Sequence, residues 1–335
     1  MKKFFFSLLV LGSLQTFAQP ADQNLQETAR SFMRSGDFDN AILVLTRAID
    51  GDKNNLELQK DLALAFYYKR DYAKALDVVK IMLDNEPDVV SYQIGGNVYK
   101  ALEEVKEADK MYKKALKKYP KSGALYSEYG ELLWAKKDYE AIQYWEKGIK
   151  EDPSYAGNYY NAALYYYYTK DKVWSLVYGE VFVNMESLTE RAAAMKSLLL
   201  DAYKEKLFAD PDMMKGQEGV KSGFAKAYLQ TMGKQSSMVN RGVTAEGLTA
   251  IRTRFILDWY KTYATKFPFK LFDYHQQLIR EGMFEAYNQW LFGTVESLPA
   301  YDNWTKIHGE AHTKFTTFQK NRIFKIPAGQ YYQEL

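Results

Sequence analysis

The chain has no cysteine among its 335 residues. Disulfide frameworks, thiolate metal sites and thiol nucleophiles are therefore excluded. Histidine is scarce too: His275, His308 and His312 are the three present. A charge excess of one sign is also lacking. Lys and Arg total 45 against 42 Asp and Glu, a net charge of +3. So small a surplus in so long a chain implies no nucleic-acid partner. No glycine-rich phosphate loop, no Ser-His-Asp order and no spaced carboxylate pair stands out. The chain accordingly reads as non-enzymatic, with no catalytic residue and no cofactor assigned.

What is present is ordinary for a soluble globular protein: 47% apolar residues, 26% charged, and 28 tyrosines. The length allows more than one folding unit. At the start, Lys2 and Lys3 precede an apolar run at 4–14, too short to span a bilayer. Thr16-Phe17-Ala18 then offers a small-x-small cleavage site. Residues 1–18 read as a secretory signal peptide. With no cysteine after the run, no lipid attachment is expected. The mature chain is expected to be exported, periplasmic or secreted, without a stable membrane anchor.

From residue 22 to 153 the sequence repeats itself. Each copy has a small residue, a large apolar one three positions on, a turn, and then Ala. The first copy gives Ala29, Phe32 and Ala41, and the second Ala63, Phe66 and Ala75. The third gives Gly96, Tyr99 and Ala108, and the fourth Gly130, Leu133 and Ala141. Lys53, Pro87, Pro120 and Pro153 close the copies, 34, 33 and 33 residues apart. Apolar positions at helical intervals make each copy two amphipathic helices joined by a tight turn. The small residues fall where the two helices cross, where a larger side chain would overpack. The prolines end the second helix. No single pair buries its apolar face alone, so neighbours must stack.

The order small–aromatic–Ala–aromatic–Ala–Pro resembles the tetratricopeptide repeat. The third copy carries it at Gly96, Tyr99, Ala108, Tyr112, Ala115 and Pro120, and the fourth at Gly130, Leu133, Ala141, Trp145 and Pro153. Lys53 departs from it, as do Met82 and Gly148 in place of Ala. A worn fifth copy keeps Ala163 and Tyr166 but has Gly179 in place of the aromatic and no closing Pro. The resemblance implies an all-α solenoid over 19–208 that binds another protein or peptide in a groove lined by the first helices. Mapped onto this chain, the groove positions are Arg30, Arg34, Lys60, Tyr67, Tyr68, Asn97, Lys100, Trp134, Tyr160, Tyr167 and Tyr168. One end is then basic and the other aromatic. The family's carboxylate clamp is incomplete, since Lys60 and Asn97 alone do not make it. Aromatic and Arg side chains are the usual anchors of binding surfaces. The alternative for the tyrosines is packing against the next helix pair.

Beyond residue 208 an aromatic-rich helical region is expected, with loops near 209–219 and 233–243. Ser187-Leu188-Thr189-Glu190 reads as a capping box with Ser187 at its head. Further helices are expected at 220–232, 244–266, 269–292 and 301–322. The stretch from Gly282 to Trp290 echoes a repeat's turn and second helix. Lys110, Lys113, Lys114, Lys117, Lys118 and Lys121 form a basic run, read as a solvated outer face rather than a membrane contact. His308 and His312 stand one helical turn apart, as zinc ligands do. However, Glu310 is at the wrong offset for a metalloprotease and Gly309 weakens the helix, so a zinc hydrolase is the weakest reading. The favoured one is an envelope scaffold for protein–protein interaction, with glycan binding as the alternative.

Overall fold

Each turn of the first four repeats is closed by one residue in the left-handed region: Gly36 (φ +78°), Arg70 (+66°), Glu103 (+58°) and Lys137 (+61°). Only the first is a glycine, so three turns hold a conformation that L-residues disfavour. The computed structural model describes residues 21–333. The expected signal peptide lies outside them. Among the described residues every regular element is a helix, with no strand. It forms two compact units, residues up to Glu104 and residues from Val105 onward. The division falls inside the third repeat, between its two helices.

The first unit contains α1 (Ala21–Arg34), α2 (Phe38–Gly51), α3 (Leu56–Tyr68), α4 (Tyr72–Asp84) and α5 (Val89–Ala101). Their starts are written into the sequence as short acceptors. Asp37, Asn55, Asp71 and Asp88 each take a hydrogen bond from the backbone N–H three residues on, at 2.8–3.3 Å. The second helices end at Gly51 and Asp84, two or three residues before Lys53 and Pro87. Ala29, Ala41, Ala63 and Ala75 are fully buried at the helix crossings, as the repeat register requires.

The second unit begins with α6 (Val105–Lys118), α7 (Gly123–Ala135), α8 (Ala141–Glu151), α9 (Ala156–Tyr167), α10 (Trp174–Met185) and α11 (Glu190–Ala202). A π-turn, Tyr203–Leu207, continues α11. Glycine does here what alanine does in the first unit. A Cβ on Gly130 would lie 2.3 Å from the Trp145 indole nitrogen, and one on Gly148 would lie 2.4 Å from the Asn158 amide. Gly179 likewise lets α11 approach, since a Cβ there would meet Met195 at 2.9 Å and Leu199 at 3.0 Å. The missing aromatic of the fifth copy is therefore a close helix crossing. Every residue of α10 from Trp174 to Asn184 is buried.

The rest of this unit is α12 (Gly223–Gly233), a 3₁₀ turn at Ser236–Arg241, α13 (Ala245–Thr262), α14 (Lys270–Arg280), α15 (Phe284–Asn288), α16 (Thr294–Glu296), α17 (Leu298–Ile307) and α18 (Gly309–Lys320). Phe224 is the hub of its aromatic core, stacked on Trp174, Phe272 and Tyr332 and edge-on to Trp259 and Phe269. Three sequence expectations are corrected. The cap of α11 is Thr189, whose hydroxyl accepts from Ala192 N at 3.3 Å and donates to Glu186 at 2.7 Å. Ser187 does not cap. The helix expected over 269–292 is broken at Gly282, where φ is +70°. A helix–turn–helix pair results, as the echo of the repeat suggested. The helix expected over 301–322 is split at His308 (φ −109°, ψ 36°), just before Gly309.

Candidate binding surface

The first helices of successive pairs lie side by side within each unit: α1, α3 and α5 in one, α7, α9 and α11 in the other. The mapped groove residues sit on these helices. In the first unit Arg30, Arg34 and Lys60 are each paired with acidic side chains. Arg30 donates to Asp61 at 2.8 Å and lies 3.8 Å from Glu57. Arg34 donates to Glu27 at 3.0 Å. Lys60 is buried and donates to Glu57 and Asp88, at 2.6 Å each. Burial alone would lower the Lys60 pKa, but the bonds to Asp88 and Glu57 outweigh it and leave it raised. The expected basic end is thus a neutralised ion-pair network. Sequence reading missed its acidic half, although Glu57 stands one helical turn from Lys60. Asn97 and Lys100 are half-buried on α5. Tyr67 packs on Tyr72, 5.5 Å between ring centroids, while Tyr68 stacks over Phe38 and stays 54% exposed.

In the second unit Trp134 is 37% exposed at the end of α7. Tyr139 and Tyr165 meet it edge-on at 5.8 and 5.7 Å, and Trp145 lies beneath at 6.0 Å. Its orientation is therefore fixed before any ligand arrives. Tyr168 ends α9 and is 72% exposed, the Tyr167 ring 5.4 Å away. Tyr167 itself lies under Lys206, and Tyr160 packs on Phe182 at 4.9 Å with the Arg191 guanidinium over it. Those two tyrosines serve packing. Asn161, which the sequence mapping passed over for its neighbour Tyr160, bridges α9 to α7 through Ser127 (3.2 Å) and Glu131 (3.0 Å).

Elsewhere, the exposed lysines of α6 lie opposite its buried Ala108, Met111, Tyr112 and Ala115. Lys110 pairs with Glu107 and Lys113 with Asp109, at 2.8 Å each. His308 stacks on Trp304 at 5.0 Å, and His312 lies 3.3 Å from the Tyr301 hydroxyl. Among the described residues no group of three or more His, Asp and Glu is placed to hold a metal. No helix among them is long and apolar enough to cross a membrane.

One polar centre had no signal in the sequence. Glu180 on α10, inside the core, is bonded by Arg252, by His275 at 2.9 Å and by Tyr287 at 2.6 Å. Burial alone would raise the Glu180 pKa, but Arg252 and His275 overcome it and hold the carboxyl at about 2. Burial also lowers the His275 pKa. The cluster is sealed in the core, and its partners come from 72, 95 and 107 positions away in the chain.

Helix pairs at a fixed period, with small residues at each crossing, define a helical-repeat protein. A tetratricopeptide-repeat family model matches residues 27–89 and 95–156, and over these residues the repeats are tetratricopeptide repeats. Solved structures of the same class align with the chain. A thermophilic tetratricopeptide-repeat protein of Thermus thermophilus does so at 16% identity, covering 54% of this chain and all of its own, with a TM-score of 0.45. PilF of Pseudomonas aeruginosa aligns at 17% identity over 58% of this chain and 88% of its own, with a TM-score of 0.48. YrrB, described as having an unusual peptide-binding site, aligns at 18% identity over 51% of this chain and 90% of its own, with a TM-score of 0.38. No curated protein matches the chain. The tetratricopeptide fold is a scaffold for protein–protein interaction, generally without enzymatic activity.

Proposed function

We propose that this chain is an exported, non-enzymatic scaffold that holds a segment of a protein partner against the first-helix face of its repeats. The signal-like sequence at 1–18 supports export. The observation that carries the binding site is Trp134, a large aromatic left exposed yet braced by three other rings. Rigid aromatics give contact area at little entropic cost and dominate affinity where they occur. Tyr168, exposed at the end of α9 in the same unit, supplies further contact. No bond is made or broken.

The test is affinity capture from an envelope extract, followed by titration of the captured partner. Trp134→Ala should weaken binding by roughly 2 kcal/mol, about thirtyfold. Neutralising Lys113, Lys114 and Lys117 together should change it far less, apart from a salt-dependent on-rate. The reverse ranking would move the site to α6 and reject this reading.

A further inference from the structure

Glu146 on α8 is a buried carboxylate without a cation. Its oxygens accept from Tyr166 of α9 and Tyr178 of α10, both at 2.8 Å. A third phenol, Tyr331, reaches it from the C-terminal segment. The other charged groups that face it are acidic or absent. Asp171, in the loop before α10, adds like charge, and Tyr159 of α9 is neutral. Lys150, one turn further along α8, lies over the Tyr331 ring rather than beside the carboxylate. Among the described residues no ion pair reaches Glu146.

The segment that covers it runs without helix from Ile323 to Gln333. Its last four residues are tied down by polar bonds. Gln330 accepts from Lys270 N at 2.7 Å, and Ser222 donates to the Tyr332 carbonyl at 2.7 Å. The Tyr332 hydroxyl donates to the Pro268 carbonyl at 2.6 Å, and Gln333 donates to the Tyr166 hydroxyl at 2.7 Å. The Tyr332 ring lies flat on Phe224, 5.1 Å away. Beside this strap a cavity of about 640 Å³, lined by Lys150, Lys266 and Phe267 among others, brings solvent within one side chain of it. A few residues at the very end of the strap therefore stand between a buried carboxylate and water.

We propose that the strap from Gly329 to Gln333 is a pH-linked latch, closed over Glu146 when that carboxyl is protonated and released more readily when it is ionised. The inference is independent of the partner-binding reading above. Its sign follows from proton linkage. Burial raises the Glu146 pKa from 4.5 to about 7, against the opposing pull of its phenol donors. Opening the strap hydrates the carboxylate and returns it towards its ordinary value. The closed state thus binds more protons between pH 4.5 and 7, and it loses advantage as pH rises through that range. Two such pKa values imply a roughly tenfold rise in the opening constant between pH 6 and pH 8. Release would bare Glu146 and the face of Phe224 together.

The experiment is amide hydrogen exchange on the full chain at pH 6, 7 and 8, corrected for intrinsic exchange rates. Residues 329–333 and the start of α12 are followed. In the wild type, protection there should fall about tenfold from pH 6 to 8, while α2 and α4 stay unchanged. Glu146→Gln should flatten the profile. Tyr331→Phe keeps the ring but removes one donor, so it should open the strap further at pH 8 and little at pH 6. A flat wild-type profile, or the same slope in Glu146→Gln, overturns the latch. If Glu146→Gln does not fold, equal effects of Tyr331→Phe at both pH values overturn it on their own.

Discussion

At the scale of single residues, this protein separates positions where a side chain is forbidden from positions where one is tolerated at a cost. Gly130 is of the first kind, because the Trp145 indole already occupies the place of its Cβ and donates to the Ser127 carbonyl at 3.1 Å. Gly130→Ala should destabilise by about 1–3 kcal/mol, the usual effect of overpacking a close helix crossing. Lys137 is of the second kind, with φ at +61°. Lys137→Gly should raise stability by up to about 1 kcal/mol, since relief of left-handed strain exceeds the added chain entropy. Paired denaturant titrations check both, and shifts of the same sign would contradict the account. Glu180 makes a pH prediction of the opposite sign to that of Glu146. Its folded pKa of about 2 lies below the ordinary 4.5. Its contribution is therefore complete above pH 4.5 and lost as pH falls towards 2. Arg252→Met leaves that carboxylate buried without its guanidinium, held by His275 and Tyr287 alone, and should cost about 3–5 kcal/mol, read as a lowered denaturation midpoint.

At the scale of elements, helices whose ends carry local chemistry were readable, and helices ended by tertiary context were not. The period, the small-residue crossings and the end markers placed α1 to α10 because each signal lies within one repeat. The fifth copy looked worn in part because Gly179 has its partner in α11, outside the pattern. The Thr189 cap was missed because two hydroxyl residues compete two positions apart, and Glu186 with Arg191, on either side of Thr189, settles the choice. Thr189→Ala should cost about 1 kcal/mol, the usual value of a lost N-cap, whereas Ser187→Ala should change stability by a few tenths at most. Thermal melts of the two variants decide it, and equal losses would restore the Ser187 cap. The candidate surface was half legible. Trp134, Tyr68 and Tyr168 were placed by register. The neutralisation of Arg30 and Lys60 was not, since Asp61 comes from α3, two helices after Arg30, and Asp88 from the loop before α5.

At the scale of the whole molecule, the division between Glu104 and Val105 sets how the chain should unfold. Solenoid stability is close to a sum over neighbouring repeats, so a lesion is felt locally. Ala75 is fully buried in the first unit, and Arg252 is buried in the second. Ala75→Trp and Arg252→Met should therefore lower different parts of a calorimetric trace, with their effects additive within about 0.5 kcal/mol. A single transition shifted equally by both would show the two units to be one cooperative block.

The burial of α10 on every side has a consequence for the making of the protein. Its covering residues, Arg252, His275 and Tyr287, follow Glu180 by 72, 95 and 107 positions. At a translation rate of about 5–20 residues per second, those covers emerge roughly 4–20 s after α10 itself. Through that interval the nascent chain displays an apolar helix carrying an uncompensated carboxylate, a ready client for a holdase and a ready seed for aggregation. Slow codons after residue 185 would lengthen the exposure, and a gene recoded for speed there should give more soluble product.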